Sequence, residues 1–480
     1  MPDFGKLHYL NIGPNGTFKA SGSLSSSPVD VDALFAHLNA DPALEKLTLY
    51  FHGGLVNEAA GLAVARKMWE LFDKESHVVA FVWETGPGET IKRNLDTLHK
   101  SALFMKVVKF AIRHAAARLG GAIGGKGPGE TLTDAEIEAE LAAASRFGGF
   151  DAGARGVAAG LDEEDLEGDR ADIEADIEVD LDADPLVEEI LEDEAEESPL
   201  LDAAVAEEVQ TEQAKGIGTT IVLARHVASI VIRVVKRFIR KRDHGFYPSV
   251  VEETVRELYL ADFGAWLWGG MKAAAEGMWA PNAGPITDAS HAGSYFLDRL
   301  AALKTARPAL VVDLVGHSAG SIAICHLLEQ AAVRHPGLTF RAVLFLAPAC
   351  TCELFAQAVL GHTNLFKSFR MFTMKDELET EDRLVPAVYT RSLLYLISGI
   401  LEAEVDAPIA GLELHTRGQS PHTAPALVAV QQYLRAPGAN RLVLSETEGL
   451  GDGLNCSSHS HGGFDDDPLT RASLLSIVSR

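Results

Sequence analysis

Short apolar runs recur along the chain in the order expected of an α/β protein. Residues 47–51 and 78–83 are almost continuously apolar, which is the pattern of parallel strands buried on both faces. Residues 309–315 repeat that pattern much later in the chain. Because helical patterns separate these runs, the sequence predicts a mostly parallel sheet flanked by helices.

The remaining core elements follow from the same periodicities. Near the start, residues 6–12 and 17–20 flank the turn signal Pro14-Asn15-Gly16 and predict a hairpin. A helix is predicted from Pro28, with Ser27 as its N-cap. Further strands are predicted at 341–346, 369–374 and 441–444, and further helices at 392–402, 424–434 and 468–478.

The alternation of strands and helices stops between residues 91 and 282. Two basic amphipathic helices are predicted there, around 104–115 and around 227–240. Between them, residues 161–214 hold 24 acidic residues against one arginine, with few aromatic residues and no sustained apolar face. That composition predicts a disordered or solvated segment.

Charge and cysteine content narrow the class of protein. The net charge of the 480 residues is −26, but the acidic stretch carries almost all of it, so the rest is nearly neutral and no nucleic-acid partner is expected. Four cysteines in so long a chain favour a reducing compartment. No signal peptide or membrane span is evident, so we expect a cytoplasmic protein.

The basic helices leave three interpretations open. They pack on the core, they lie on an anionic membrane surface as a peripheral contact, or the acidic stretch folds back over their basic faces.

The strand at 309–315 leads into Gly316-His317-Ser318-Ala319-Gly320, the pattern G-x-S-x-G. Between a strand and a helix, this pattern predicts a sharp turn that strains the serine backbone and exposes its hydroxyl. Glycines two residues before and after are needed because side chains there would collide with the neighbouring helix and strand. An earlier strand, 47–51, ends in His52-Gly53-Gly54.

With these two motifs the chain resembles the α/β-hydrolase family of serine esterases and lipases, over about residues 46–86 and 309–479. The resemblance implies an α/β-hydrolase core in two parts, 1–90 and 283–480, and a large helical cap insertion at 91–282 that includes the acidic, disordered segment. It also implies that Ser318 is the nucleophile. The oxyanion donors would be the N–H of Ala319 and an N–H near Gly53 or Gly54, since Leu55 stands where many such loops carry another glycine.

The family order of serine, acid and histidine implies the other two members of a triad. Asp376 follows a late strand and is the first choice for the acid, with Glu377 as the alternate. His461, before a Gly-Gly turn and the final helix, is the first choice for the base, with His459 as the alternate. Neutral imidazole takes the serine proton at pH 7 and returns it to the leaving group.

The sequence therefore predicts a serine hydrolase that cleaves a carboxylic ester, such as a lipid or another small-molecule acyl ester, without a cofactor. An acyltransferase or thioesterase with the same triad and a catalytically silent membrane- or protein-binding scaffold remain alternatives. His459 and His461 lie near three aspartates, 465–467, but Asp467 suits an N-cap and no second pair of histidines or cysteines lies nearby, so no metal site is expected.

Overall fold

The structure, a computed structural model, describes residues 4–20, 22, 24–54, 57–83, 88–120, 131–143, 145–216, 218–259, 261–418 and 421–480. Its centre is a seven-stranded, all-parallel sheet. The strands are β1 (Tyr9–Ile12), β2 (Lys46–Phe51), β3 (His77–Trp83), β4 (Val311–His317), β5 (Phe340–Leu346), β6 (Phe366–Thr373) and β7 (Leu442–Leu444). Their order across the sheet is β1-β3-β2-β4-β5-β6-β7.

Helices lie before, between and after these strands. Those before β4 are α1 (Pro28–Ala40), α2 (Glu58–Phe72), α3 (Gly88–Lys100), α4 (Ala102–Leu119), α5 (Asp134–Ala142), α6 (Gly148–Ala158), α7 (Glu163–Gly168), α8 (Arg170–Asp182), α9 (Val187–Glu197), α10 (Ala203–Ala214), α11 (Thr220–Ile239), α12 (Phe246–Leu258), α13 (Ala261–Gly277) and α14 (Ala292–Ala306). Those after β4 are α15 (Gly320–Arg334), α16 (Cys352–Phe355), α17 (Asp376–Glu381), α18 (Leu393–Leu396), α19 (Glu413–Thr416), α20 (Pro425–Leu434) and α21 (Pro468–Ser479).

The central strands explain why the sequence shows continuous apolar runs. Every residue of β3 is buried, and β2 and β4 are buried except at their first residues. Helices cover both faces of the sheet, so side chains that alternate between the faces are all removed from water. The prediction of a mostly parallel α/β sheet is confirmed.

The predicted N-terminal hairpin is wrong. Only Tyr9–Ile12 forms a strand, and it pairs in parallel with β3, which buries Leu10 and Ile12. Residues 17–20 form no strand, and Thr17 makes only an isolated bridge to His291. The turn signal was real, since the N–H of Gly13 donates to the carbonyl of Thr17 at 2.8 Å, but tertiary pairing of β1 with β3 replaces the hairpin ladder.

The acidic stretch, for which composition predicts disorder, is folded into helices α7–α10. In α8, Ile173, Ile177 and Leu181 recur every fourth residue, and all three are fully buried. These apolar residues form a stripe so narrow that they hardly change the overall composition of the segment. The stripe is nevertheless sufficient for α8 to pack on the apolar surface of α11.

The acidic helices lie against the two basic helices, α4 and α11. The Arg240 guanidinium in the loop after α11 donates to both Glu163 oxygens at 2.6 and 2.7 Å, and Lys236 of α11 pairs with Glu167. Arg113 of α4 pairs with Asp180 at 3.2 Å. The structure thus combines two of the interpretations, since the apolar faces of these helices are buried and the acidic stretch lies over their basic faces. Contact with a membrane through them stays a prediction.

Among the described residues, none of the helices has both the length and the apolar character that crossing a membrane requires.

Candidate functional site

Ser318 lies on a sharp turn between β4 and α15, at the carboxyl end of the sheet. Its φ of 51° is in the left-handed region, which is costly for a residue with a Cβ. The surrounding backbone holds this conformation, because the Ser318 N–H donates to the carbonyl of Leu346 at 2.8 Å and its carbonyl accepts from the N–H of Ala349 at 3.1 Å. The Ser321 hydroxyl donates to the same carbonyl at 2.6 Å.

The two glycines of the motif allow this turn to pack closely. A Cβ on Gly320 would stand 2.2 Å from the carbonyl oxygen of Phe51. A Cβ on Gly316 would stand 2.7 Å from a methyl carbon of Ile324 and 2.9 Å from the backbone of Gly320. The collision with neighbouring helix and strand that the motif predicts is therefore present at both positions.

We expect Gly320→Ala to lower the free energy of unfolding by about 1–3 kcal/mol, because the added methyl group meets backbone that cannot rotate away. Chemical denaturation measures the effect. Gly337→Ala is the matched control, since nothing lies within 4 Å of a Cβ built there. Equal stability of the two variants would contradict the close approach of α15 to β2.

His461 is the imidazole that reaches the serine. It begins a 3₁₀ turn, His461–Gly463, and its Nε2 lies 2.9 Å from Ser318 Oγ. Burial, together with the neighbouring His317, lowers the pKa of His461 to about 3. The ring is therefore neutral at pH 7, with an Nε2 lone pair that accepts the serine proton. The alternate, His459, has a 63 % exposed side chain and pairs with Glu446 at 3.3 Å instead.

The structure does not bring Asp376 to the base. The carboxylate of Asp376 accepts from the Tyr395 hydroxyl at 2.5 Å and lies 3.4 Å from the Arg417 guanidinium. Among the described residues, His461 Nδ1 is buried and has no hydrogen-bond partner. Glu377, the alternate acid, is exposed on α17. Neither sequence choice for the orienting carboxylate is therefore a hydrogen-bond partner of the imidazole that it would orient.

A different carboxylate, Asp382, lies at the base. It caps the C-terminal end of α17, six residues beyond Asp376, and its Oδ2 accepts from the backbone N–H of His461 at 2.7 Å. It also lines the cavity over Ser318. Burial raises the pKa of Asp382. Local sequence patterns do not single out Asp382, because α17 carries several acidic residues and nothing nearby in the sequence shows which end of the helix meets the loop of His461.

The two sequence-predicted sources of oxyanion donors lie together beside the serine. Ala319 is the N-cap of α15, so its N–H has no partner within the helix. A Cβ on Gly53 would stand 3.4 Å from Ser318 Cβ, and one on Gly54 would stand 3.0 Å from Ala319 Cβ. Glycine at position 54 therefore lets this backbone approach Ala319 closely, whereas a Cβ at position 53 would be in ordinary van der Waals contact with Ser318. Leu55, which made the choice of donor uncertain, lies outside the described residues.

A second imidazole, His317, forms part of the site. Its Nδ1 lies 2.7 Å from Asp465 Oδ2, and its Nε2 lies 2.9 Å from the carbonyl oxygen of His461. The Tyr50 hydroxyl donates to the other oxygen of Asp465 at 2.9 Å. Local sequence patterns assign no chemical role to His317 or to Asp465.

A cavity of about 440 Å³ opens above Ser318 and His461. Its volume is within the range of small-molecule sites. The apolar part of its lining consists of Val64, Ile91, Leu384 and Leu393. Lys92, Asp382 and Arg383 supply charged groups at the same cavity. The space above the serine is therefore mainly suited to an apolar group, with polar side chains along one part of the wall.

One group of potential metal ligands occurs among the described residues. Asp406, His415 and His422 are buried, and their ligand-type atoms lie within 4.8 Å of one another. However, His415 Nδ1 accepts the backbone N–H of Ile409 at 3.0 Å, so a neutral ring carries its proton on Nε2. That Nε2 lies 3.1 Å from Asp406 Oδ1 and donates to it. In this arrangement His415 offers no lone pair to a cation, and the group is a hydrogen-bond network.

Comparison of the chain with family models, with curated proteins and with solved structures finds no match in any of the three.

Proposed function

We propose that this protein is a serine hydrolase of the α/β-hydrolase class, which cleaves a carboxylic ester through an acyl-enzyme on Ser318. The observation that carries the proposal is the 2.9 Å contact between Ser318 Oγ and His461 Nε2, made on a strained turn between a strand and a helix. A nucleophile paired with a base at this distance and exposed to a cavity is the arrangement that acyl transfer needs.

The fold supports this class without being specific to it. Ser318 follows the central strand β4, at the carboxyl ends of the parallel strands, and helices α3–α14 lie between β3 and β4 in the chain. The serine, Asp382 and His461 follow one another in the order of α/β-hydrolase triads. An insertion at that place is compatible with a cap over the cavity.

In the proposed first step, Ser318 Oγ attacks the ester carbonyl carbon while its proton passes to His461 Nε2. The carbonyl oxygen becomes an anion, and we assign its stabilisation to the N–H of Ala319 and an N–H at Gly53 or Gly54. The protonated imidazole then gives its proton to the departing alkoxide, and the alcohol leaves. A water molecule repeats the sequence on the acyl-enzyme and releases the carboxylic acid.

Asp382 replaces Asp376 as the proposed acid of the triad. Its carboxylate already contacts the main chain of His461, whereas the Asp376 carboxylate is held by Tyr395 and Arg417. When His461 gains a proton, the ring becomes a cation with an Nδ1–H that has no partner among the described residues. Rotation of the Asp382 carboxylate toward that N–H would stabilise the cation, and this is the role we assign to it.

The test is turnover of p-nitrophenyl esters from acetate to laurate by the purified protein. We expect hydrolysis with a rapid first release of about one p-nitrophenol per protein, because p-nitrophenolate is a good leaving group and the acyl-enzyme forms faster than it is hydrolysed. We also expect saturation at low ester concentration for acyl groups that fit the apolar cavity. Hydrolysis no faster than that of a Ser318→Ala variant, with or without detergent, would overturn the proposed function.

A further inference from the structure

The contacts of His317 fix its protonation state. Asp465 Oδ2 and the carbonyl oxygen of His461 are both acceptors, and they face Nδ1 and Nε2 at 2.7 and 2.9 Å. A neutral imidazole has a single N–H and satisfies one of them, whereas the imidazolium donates to both. Although burial opposes the charged form, the Asp465 carboxylate raises the pKa of His317. His317 is therefore a buried cation paired with a buried anion.

The surroundings complete this pair. Asp465 receives a further hydrogen bond from Tyr50, so both of its oxygens have donors. The nearby His52 is neutral, because burial lowers its pKa to about 4 and its Nε2 accepts the N–H of Trp83 at 3.2 Å. On the other side, His461 is the neutral base. Across the cavity, the charged groups are Lys92, Asp382 and Arg383.

We propose that His317 is a positioning residue for His461 in the proposed reaction. Its imidazolium, anchored on Asp465, holds the carbonyl oxygen of His461 and thereby sets where His461 Nε2 stands relative to Ser318 Oγ. This inference rests on the proposed function, since His317 would affect the reaction only through the base, His461.

The arrangement matters because the ring of His461 is not held at Nδ1. The main chain of His461 is held from both sides, at its N–H by Asp382 and at its carbonyl by His317. A misplacement of about 1 Å in a reacting group can lower the rate about 10²-fold. Loss of the proton from His317 would release one of the two anchors, with the side chain still in place.

A distinctive pH dependence follows. Both ring nitrogens of His317 face acceptors and its pKa is raised in the folded protein, so its second proton is lost only as the pH rises through that raised pKa. We therefore expect kcat/KM to fall on the alkaline side as His317 becomes neutral. On the acidic side, His461 and Asp382 must both be deprotonated: the low pKa of His461 keeps it an active base well below pH 6.5, whereas burial raises the pKa of the Asp382 carboxyl.

Two double variants distinguish the effect of the hydrogen bond to the carbonyl of His461 from the effect of the positive charge on His317. The amide nitrogen of glutamine lies where His317 Nε2 lies, and that of asparagine lies where Nδ1 lies. Each is combined with Asp465→Asn, so that no unpaired carboxylate stays buried. His317→Gln with Asp465→Asn keeps a donor to the carbonyl of His461, whereas His317→Asn with Asp465→Asn does not.

We expect the glutamine double variant to keep kcat/KM for a p-nitrophenyl ester within about tenfold of wild type and to lose the alkaline decline. The asparagine double variant is expected to lose about 10²-fold or more. Equal activities of the two variants, or an alkaline decline that persists in the glutamine variant, would overturn the proposal. Thermal unfolding of both variants shows whether they are folded to the same extent.

Nitrogen NMR of ¹⁵N-histidine-labelled wild-type protein tests the same proposal when the variants do not fold. At pH 7 we expect His317, assigned by the His317→Gln spectrum or by connectivity to its backbone, to carry protons on both ring nitrogens. A neutral ring at pH 7 would overturn the proposal. The result does not depend on turnover, so inactivity of the wild-type protein with a doubly protonated His317 would count against the proposed function alone.

Discussion

The Ser318→Ala variant is expected to hydrolyse p-nitrophenyl esters at least about 10⁴-fold more slowly than wild type, because it lacks the hydroxyl that attacks the ester carbonyl. The change removes one buried oxygen at the bottom of the cavity, where Ser318 is 2 % exposed. Stability is expected to change little, since alanine must adopt the same strained φ. Initial rates at saturating and at limiting ester concentration give the loss in kcat and in kcat/KM.

Ser460→Ala is the matched control for that experiment. Ser460 lines the same cavity and immediately precedes His461, but its side chain makes no capping hydrogen bond to the 3₁₀ turn that follows. We expect its rate to stay within a few-fold of wild type. If Ser460→Ala lost as much activity as Ser318→Ala, loss would reflect disturbance of the cavity and not loss of a nucleophile.

The second large effect is expected from Asp382→Asn, which should lower kcat about 10³- to 10⁴-fold. An asparagine oxygen can still accept the backbone N–H of His461, so this variant removes the charge while it keeps the anchor. Without the negative charge, the imidazolium that forms during attack loses its stabilisation. Steady-state kinetics at pH 7 measures the loss, and an unchanged unfolding midpoint shows that it is not a folding effect.

Asp376→Asn provides the comparison, since the two aspartates lie at opposite ends of α17. Asparagine at 376 can still accept from Tyr395, and the Arg417 contact is largely exposed, so we expect kcat within about threefold of wild type. The opposite ranking, with Asp376→Asn inactive and Asp382→Asn active, would show that Asp376, the first choice from the sequence, is the acid of the triad.

The sheet and the serine–histidine pair could be predicted because their signals are local. Each central strand is buried on both faces and therefore shows a continuous apolar run. Ser318 lies in a motif whose spacing is dictated by the backbone contacts of Gly316 and Gly320. His461 lies in the loop before the last helix, and the carboxyl ends of parallel strands bring such loops to one edge of the sheet.

The acid and the acidic helices could not be predicted from local patterns. Asp376 and Asp382 differ only in which end of a short helix they occupy, and the orientation of α17 is set by distant packing. The stretch 161–214 is highly charged, and its folding depends on isolated apolar residues, such as Ile177, that pack against a helix distant in the sequence. His317 gave no signal because its partner, Asp465, is far away in sequence.

The most direct test of the central claim is reaction of the purified protein with a fluorophosphonate probe, followed by mass spectrometry to locate the modified residue. Such probes phosphonylate a serine whose hydroxyl is activated by a neighbouring base. We predict a single modification at Ser318 that is lost in His461→Ala, even though that variant keeps the serine. Absence of labelling, or labelling of Ser318 at the same rate in wild type and His461→Ala, would contradict an activated serine at this site.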